Sequence, residues 1–220
     1  MPKPAIKLVP WDPESTSHIE RLVDQRIACG WAAPHVPEVW RDAHLAGTKC
    51  VWWVEKTPLS DTSRTLRGAA RTPSQTKILP IGHVALDKEH PDAAKLGLPL
   101  PTEGAFFIKS LYISRALHGL GLGSTTMDMV ERVATDEPLN AKHLLLDTLL
   151  EDDARDEEIA MAYTGGPPGE FPPQLWYAKR GYEVIGTAKD FYRERDRSGK
   201  IWSLRTVFMH RDLLKHRDKY

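Results

Sequence analysis

The segment His118-Gly119-Leu120-Gly121-Leu122-Gly123, followed by Ser124 and Thr125, carries the strongest chemical signal in the chain. Leu111-Tyr112-Ile113 ahead of it reads as the end of a strand, and Met127, Val130 and Ala134 behind it recur at helical spacing. Glycines at 119, 121 and 123 let the backbone approach a ligand closely and adopt positive φ. The first turn of a helix offers N–H groups outside the ladder and the positive end of the dipole, and both suit a phosphate. Ser124 and Thr125 add hydroxyl donors there. A P-loop needs a lysine after the last glycine, and Ser124 stands in that place. A Rossmann fingerprint needs G-x-G-x-x-G, whereas the spacing is G-x-G-x-G. Two readings remain: a phosphate-bearing ligand at the helix start, or a tight strand-to-helix turn with no ligand.

Groups able to move protons are fewer. Asp147 is the one charge in the apolar run LLLDTLL, and burying it is costly unless it is paired. It is either a proton acceptor or the partner of an ion pair or hydrogen bond. His83, in another strand, is a second residue that could face a cleft. Trp31, with His35 and Trp40 close in sequence, either walls a substrate pocket or fills a core. The run Glu151, Asp152, Asp153, Asp156, Glu157, Glu158 either steers a cationic substrate or forms a solvated face.

The glycine segment is similar to the acyl-CoA motif of the GNAT superfamily, [Q/R]-x-x-G-x-[G/A], with His118 standing where Gln or Arg is usual. A second likeness lies in LWYAKRGYEVIG, where Tyr177, Lys179, Gly181 and Tyr182 match the family's tyrosine helix and the strand after it. The asparagine usual ahead of that helix is not evident in Glu170 to Gln174. The resemblance covers most of residues 1 to 213 and implies the GNAT fold. It implies that acetyl-CoA is the co-substrate, its pyrophosphate held by backbone N–H groups of His118, Gly119, Leu120, Gly121, Leu122, Gly123 and Ser124. The pantetheine arm would lie along Leu111, Tyr112 and Ile113. Tyr177 would be the general acid for the departing sulfur, because the family's matching tyrosine points at that atom. Some members carry a carboxylate base on the fourth strand, but Phe106-Phe107-Ile108-Lys109 supplies none, which leaves Asp147, His83 or water. The expected activity is transfer of an acetyl group to a primary amine of a small molecule or peptide. The alternative is an acyl-CoA-binding sensor or interaction module without catalysis.

The elements that must position these residues follow from periodicity. Strands are expected at Ala5 to Val9, Lys49 to Glu55, Ile78 to Asp87, Ala105 to Ile113, Leu144 to Leu149, Tyr182 to Gly186 and Trp202 to Phe208. Helices are expected from the capping-box pair Ser17 and Glu20 to Gly30, from Pro37 to Gly47 with Val36, Val39, Trp40 and Ala43 as its stripe, from Gly123 to Thr135, and from Pro173 to Lys179. Residues 56–76, 88–104 and 151–173 read as long loops, the first of them mobile. The fold class is α/β (α+β): one domain over 1–220, with a mixed, mostly antiparallel sheet of about seven strands and helices on both faces.

Composition narrows the function. Lys plus Arg and Asp plus Glu each number 30, so the formal charge is zero and the basic excess of a nucleic-acid binder is missing. Cys29 and Cys50 form no metal-ligand spacing, so no metal is expected. No apolar run approaches the ~20 residues that span a bilayer. With no secretory signature at the N-terminus, a cytoplasmic monomer or homodimer is expected.

Overall fold

The computed structural model describes residues 6–66, 69–193, 195–196 and 198–215, with backbone only for 55–59 and 78–79. Ala5 of the expected first strand and residues 67–68 of the expected first loop therefore lie outside the described residues. Nine strands are assigned among the described residues: β1 (Leu8–Pro10), β2 (Lys49–Ser60), β3 (Thr65–Leu66), β4 (Ala69–Ala70), β5 (Lys77–Asp87), β6 (Ala105–Ile113), β7 (His143–Leu149), β8 (Glu183–Lys189) and β9 (Arg205–Asp212). Helices are α1 (Thr16–Cys29), α2 (Arg41–Leu45), α3 (Pro91–Ala94), α4 (Leu122–Thr135), α5 (Glu151–Arg155), α6 (Glu157–Thr164) and α7 (Pro173–Lys179). Seven strands form one sheet in the order β1-β2-β5-β6-β7-β9-β8, and β3 pairs with β4 separately. The pairs β1–β2, β2–β5, β7–β9 and β8–β9 are antiparallel, so the expected mixed, mostly antiparallel sheet flanked by helices is the observed fold class.

Contacts group the chain into two compact units, Met1–Ile27 with Ala32–Glu89 and Ile108–Asn140, and Ala28–Trp31 with His90–Phe107 and Ala141–Tyr220. In the first, Val9, Trp11, Leu22, Val36, Trp40, Val51, Trp53 and Ala85 form a buried cluster. Each tryptophan ring removes about 200 Å² from water, on the order of 5 kcal/mol of gross stabilisation before entropy is counted. Helix α1 begins one residue ahead of Ser17, and the Ile19 N–H donates to the Ser15 carbonyl (3.0 Å), so Ser17 lies in the first turn and is not the cap. The expected second helix opens instead as a π-turn over Val36–Trp40. The wider turn keeps Val36 and Trp40 inside but leaves Val39 60% exposed, which removes it from the expected stripe.

All three of the expected loops carry structure, the 88–104 stretch through the short α3. Strand β2 continues to Ser60 through register shifts against β5, and the β3–β4 hairpin follows. The organiser is Asp61, which is 3% exposed. Its carboxylate accepts both Arg71 guanidinium nitrogens (2.8 Å each) and the Ser74 N–H (3.1 Å) and hydroxyl (2.6 Å). The Arg71 hydrogen bonds hold its pKa down at about 2. In 151–173 the acidic run starts two helices. Glu151, Asp152 and Asp153 occupy the first turn of α5, Asp156 caps α6 by accepting the Ile159 N–H (3.0 Å), and Glu157 and Glu158 follow. Asp153 also holds Arg205 through its N–H (2.6 Å) and Nε (2.9 Å), which fixes the start of β9 there. Trp202 and Leu204, expected in that strand, precede it, and the Trp202 indole donates to Asp196 (2.8 Å).

Candidate active site

The glycine turn leaves β6 through two backbone irregularities. Ser110 has φ +57°, a left-handed residue inside a strand, which locally turns the backbone ahead of Leu111. Opposite it, β5 comes so close that a Cβ on Gly82 would sit 2.1 Å from the Tyr112 carbonyl oxygen. The Ser114 N–H then donates to the Ile81 carbonyl (2.7 Å), and a 3-10 turn over Arg115–Leu117 carries the chain away.

His118 is tied down at both ends. Its N–H donates to the Arg115 carbonyl (3.0 Å), and its Nε2–H donates to the Ile113 carbonyl (2.9 Å). This side chain clamps the turn onto the end of the strand, a role open to any donor of that length, which explains why a histidine stands there. Gly119 and Gly121 follow with φ +81° and +74°, and Gly121 is the residue from which α4 starts. The first helical bond runs from the Thr125 N–H to the Gly121 carbonyl (3.0 Å), so the preceding amides lie outside the ladder. Leu120 is 60% exposed and nothing lies within 4 Å of a Cβ built on Gly119, so the approach is open. The Thr125 hydroxyl donates back to the Gly121 carbonyl (3.2 Å) and is spent inside the helix, contrary to its expected role as a ligand donor. An exposed, left-handed turn ahead of a 14-residue helix fits a pyrophosphate on backbone amides.

The second motif is a helix stop built around Tyr177. Helix α7 ends with the Tyr182 N–H donating to the Tyr177 carbonyl (3.2 Å) and the Gly181 N–H to the Ala178 carbonyl (2.9 Å). Gly181 has φ +85°, so this is a Schellman motif. Its usual apolar contact is the Tyr177–Tyr182 ring pair, with centroids 5.8 Å apart. Tyr177 is half-buried and also meets Trp176 edge to face (4.9 Å).

The remaining expected residues are placed as follows. Asp147 is 7% exposed; its Oδ2 accepts the Tyr192 hydroxyl (2.7 Å) and its Oδ1 lies 3.4 Å from His90 Nε2. His83 is fully buried. Its Nδ1–H donates to Gln25 Oε1 (2.7 Å), and its Nε2 faces the Arg26 guanidinium at 3.5 Å. Burial, then the Arg26 and Lys49 charges, hold its pKa well below 6.5. Trp31 stacks on Tyr163 at 4.5 Å and 5°, in a cluster with Ile159 and Leu204. Trp40 is 6% exposed and carries the Arg26 guanidinium (5.3 Å) and the Lys49 ammonium (4.8 Å) over its ring. Within the first unit the structure thus joins Leu111 to Ser124 into one continuous feature and buries His83 in a polar network. Within the second, Asp147 gains His90 and Tyr192, neither of which the sequence reading singled out. A serine at positive φ and a histidine ahead of a short helix leave no compositional signal. Among the described residues no cluster of three metal-ligating side chains occurs, and no helix is long and apolar enough to cross a membrane.

Comparison with solved structures returns acetyltransferases along nearly the whole chain. A GNAT-family acetyltransferase from Staphylococcus aureus Mu50 is 14% identical, with 95% of this chain and 99% of that one covered at TM-score 0.51. Spermidine/spermine N-acetyltransferase SpeG from Vibrio cholerae is 11% identical over 97% and 96% of the two chains, at TM-score 0.55. NAA60 of Arabidopsis thaliana, in complex with acetyl-CoA, is 12% identical over 96% and 99%, at TM-score 0.53. No protein-family model matches the chain, and no curated protein matches it in sequence. The likeness establishes the fold: this chain has the GNAT fold.

Proposed function

We propose that the chain is an acyl-CoA-dependent N-acetyltransferase acting on a primary amine of a small molecule or peptide. One observation carries the reading: on a GNAT fold, β6 runs into an exposed turn with two left-handed glycines, which opens α4 with its amides outside the ladder. That is the chemistry a pyrophosphate needs. A relative of the same fold is described with acetyl-CoA, and another is named for acetylating spermidine and spermine. In this reading backbone N–H groups from Gly119 to Ser124 hold the pyrophosphate, Leu111, Tyr112 and Ile113 carry the pantetheine arm, and a β6 amide polarises the thioester carbonyl. The amine nitrogen attacks that carbon, the C–S bond breaks with its electron pair on sulfur, and Tyr177 supplies the proton that makes the thiol.

The test is ligand selectivity followed by turnover. Acetyl-CoA should raise the melting temperature of the purified protein, since a ligand selective for the folded state adds RT ln(1 + [L]/Kd) to stability. ATP and NAD at equal concentration should do much less, and equal stabilisation by either would overturn the CoA assignment. A screen of amines, aminoglycosides and peptides for release of free CoA thiol then separates an enzyme from a CoA-binding module.

A further inference from the structure

We propose that His143 and His210 together bind one late first-row divalent cation, of the zinc, nickel or copper type, where β7 begins beside β9. The site is independent of the acetyltransferase reading and lies wholly within the second compact unit. Strands β7 and β9 run antiparallel, with His143 opposite Asp212 and Leu145 opposite His210. On the other side of β9, β8 sets Glu183 opposite His210. Residues directly opposite each other share a face of the sheet, and so do residues two apart along a strand. One face of three neighbouring strands therefore carries two imidazoles, His143 and His210, and two carboxylates, Asp212 and Glu183.

The imidazoles converge. His210 Nε2 lies 3.1 Å from His143 Nδ1, with ring centroids 5.1 Å apart and planes inclined by 45°. A cation about 2.0–2.1 Å from each of two imidazole nitrogens holds them about 2.9 Å apart at a right angle and about 3.3 Å apart at the tetrahedral angle. The observed separation falls between those limits, so the backbone already spaces the two rings for one shared ion. As a neutral pair they share one N–H. Metal binding needs both lone pairs, so the donor ring must carry its proton on its far nitrogen instead. Among the described residues neither far nitrogen, His143 Nε2 or His210 Nδ1, has a hydrogen-bond partner, which leaves that tautomer open. Both side chains are half-buried, so the pair stays within reach of solvent.

The ligand type selects the ion. Imidazole nitrogen suits zinc, nickel and copper, whereas magnesium and calcium ask for oxygen. Asp212 Oδ1 accepts the Leu214 N–H (2.9 Å) and its Oδ2 lies 4.0 Å from the Lys215 ammonium, so Asp212 contributes charge rather than a bond to the metal. Water completes the coordination. The two histidines are 67 residues apart in sequence, so a cation held by both ties β7 to β9 and favours the folded chain.

The experiment is calorimetry and thermal melting of the untagged protein at pH 7.5 with ZnCl2 and, as the contrast, MgCl2. Wild type should take up zinc and melt at a higher temperature with it, and magnesium should do little. H143Q and H210Q should each weaken zinc binding by about tenfold or more and lose most of the thermal shift, while D212N should weaken it less. With CuCl2, the electron paramagnetic resonance spectrum of wild type should show hyperfine coupling to two imidazole nitrogens, and that of either histidine variant to one at most. Zinc bound to both variants with wild-type affinity sits elsewhere and overturns the assignment. Wild type that takes up no zinc overturns it too, and leaves the pair a hydrogen bond between strands. Circular dichroism checks that each variant folds; if one does not, the other carries the comparison, and the wild-type copper spectrum needs neither.

Discussion

Acidification should unfold this protein through its buried histidines well before its carboxylates are protonated. His44 is 2% exposed, and its Nδ1 accepts the Val51 N–H at 3.4 Å while its Nε2 has no hydrogen-bond partner. Burial first, and the Lys49 charge after it, take its pKa from the ordinary 6.5 down to about 4, against a smaller opposing pull from Asp12. His18 shifts the same way through burial, against opposing pulls from the Ser60 carbonyl and the Asp12 and Asp61 charges. Its Nδ1 accepts both the Asp12 N–H and the Trp53 indole N–H at 3.0 Å, and its Nε2–H donates to the Ser60 carbonyl at 3.0 Å. A proton on Nδ1 would point a third donor at two others. His83 is lowered too, by burial and then by Arg26 and Lys49.

The sign follows from linkage. The unfolded chain takes up these protons near pH 6.5 and the folded chain does not, so stability is whole above that pH and is lost as the pH falls toward 4. For His44 the gap of about 2.5 pH units is worth about 3 kcal/mol by pH 4, at about 1.4 kcal/mol per unit. With His18 and His83 joining, the slope should lie between about 1.4 and 4 kcal/mol per pH unit. Urea titrations followed by tryptophan fluorescence at pH 7.5, 6.5, 5.5 and 5.0 measure it. His44→Phe keeps an aromatic edge against Trp11, whose ring lies 5.3 Å from that of His44, and should lower the slope by about one proton. Stability that is flat between pH 6.5 and 5, or a slope unmoved by His44→Phe, would refute the reasoning.

Three further outcomes are expected. Gly82→Ala drives a Cβ to 2.1 Å from the Tyr112 carbonyl, backbone against backbone; it should cost about 1–3 kcal/mol or more in urea titrations and weaken acetyl-CoA binding by displacing β6. Gly121→Val, at φ +74°, should abolish the thermal shift by acetyl-CoA. Gly97→Val, at φ +65° with nothing within 4 Å, carries similar strain elsewhere and should leave the shift intact. Tyr177→Phe should lower kcat by up to about 10²–10⁴ with the KM for acetyl-CoA little changed, and should remove the alkaline limb of the wild-type profile; unchanged kcat in steady-state assays would leave Tyr177 a packing residue.

Where the sequence was legible, the local code was strong. Strand β6 and helix α7 fall on the expected bounds, Ala105–Ile113 and Pro173–Lys179. The first is a run of β-formers between breakers, and the second has Pro173 at its first position and Gly181 just past its end. Where it was not legible, a long-range polar contact does the organising. Nothing in SDTSRTLRGAARTPSQT announces that Asp61 will be buried and will gather Arg71 and Ser74, so the stretch reads as loop. Asp156 as an N-cap is a local signal, but it sits among five other acids and was read with them as a charged face. The start of β9 is set by Asp153, 52 residues away, beyond the reach of any window.

The two motifs that suggested a function differ in what they establish. Lys179-x-Gly181-Tyr182 is accounted for by folding alone: Gly181 supplies the left-handed residue and Tyr182 the ring against Tyr177 that a Schellman stop calls for. That stop uses the Tyr177 carbonyl and ring face. The glycine turn is different. The clamp from His118 to Ile113 and the start of α4 at Gly121 account for its shape, but an exposed Leu120 and the open space around Gly119 bury nothing and stabilise nothing. A tight turn in the service of folding alone would be expected to pack against something. The left-handed path of Gly119 and Gly121 around open space costs glycine little and leaves the backbone amides reachable.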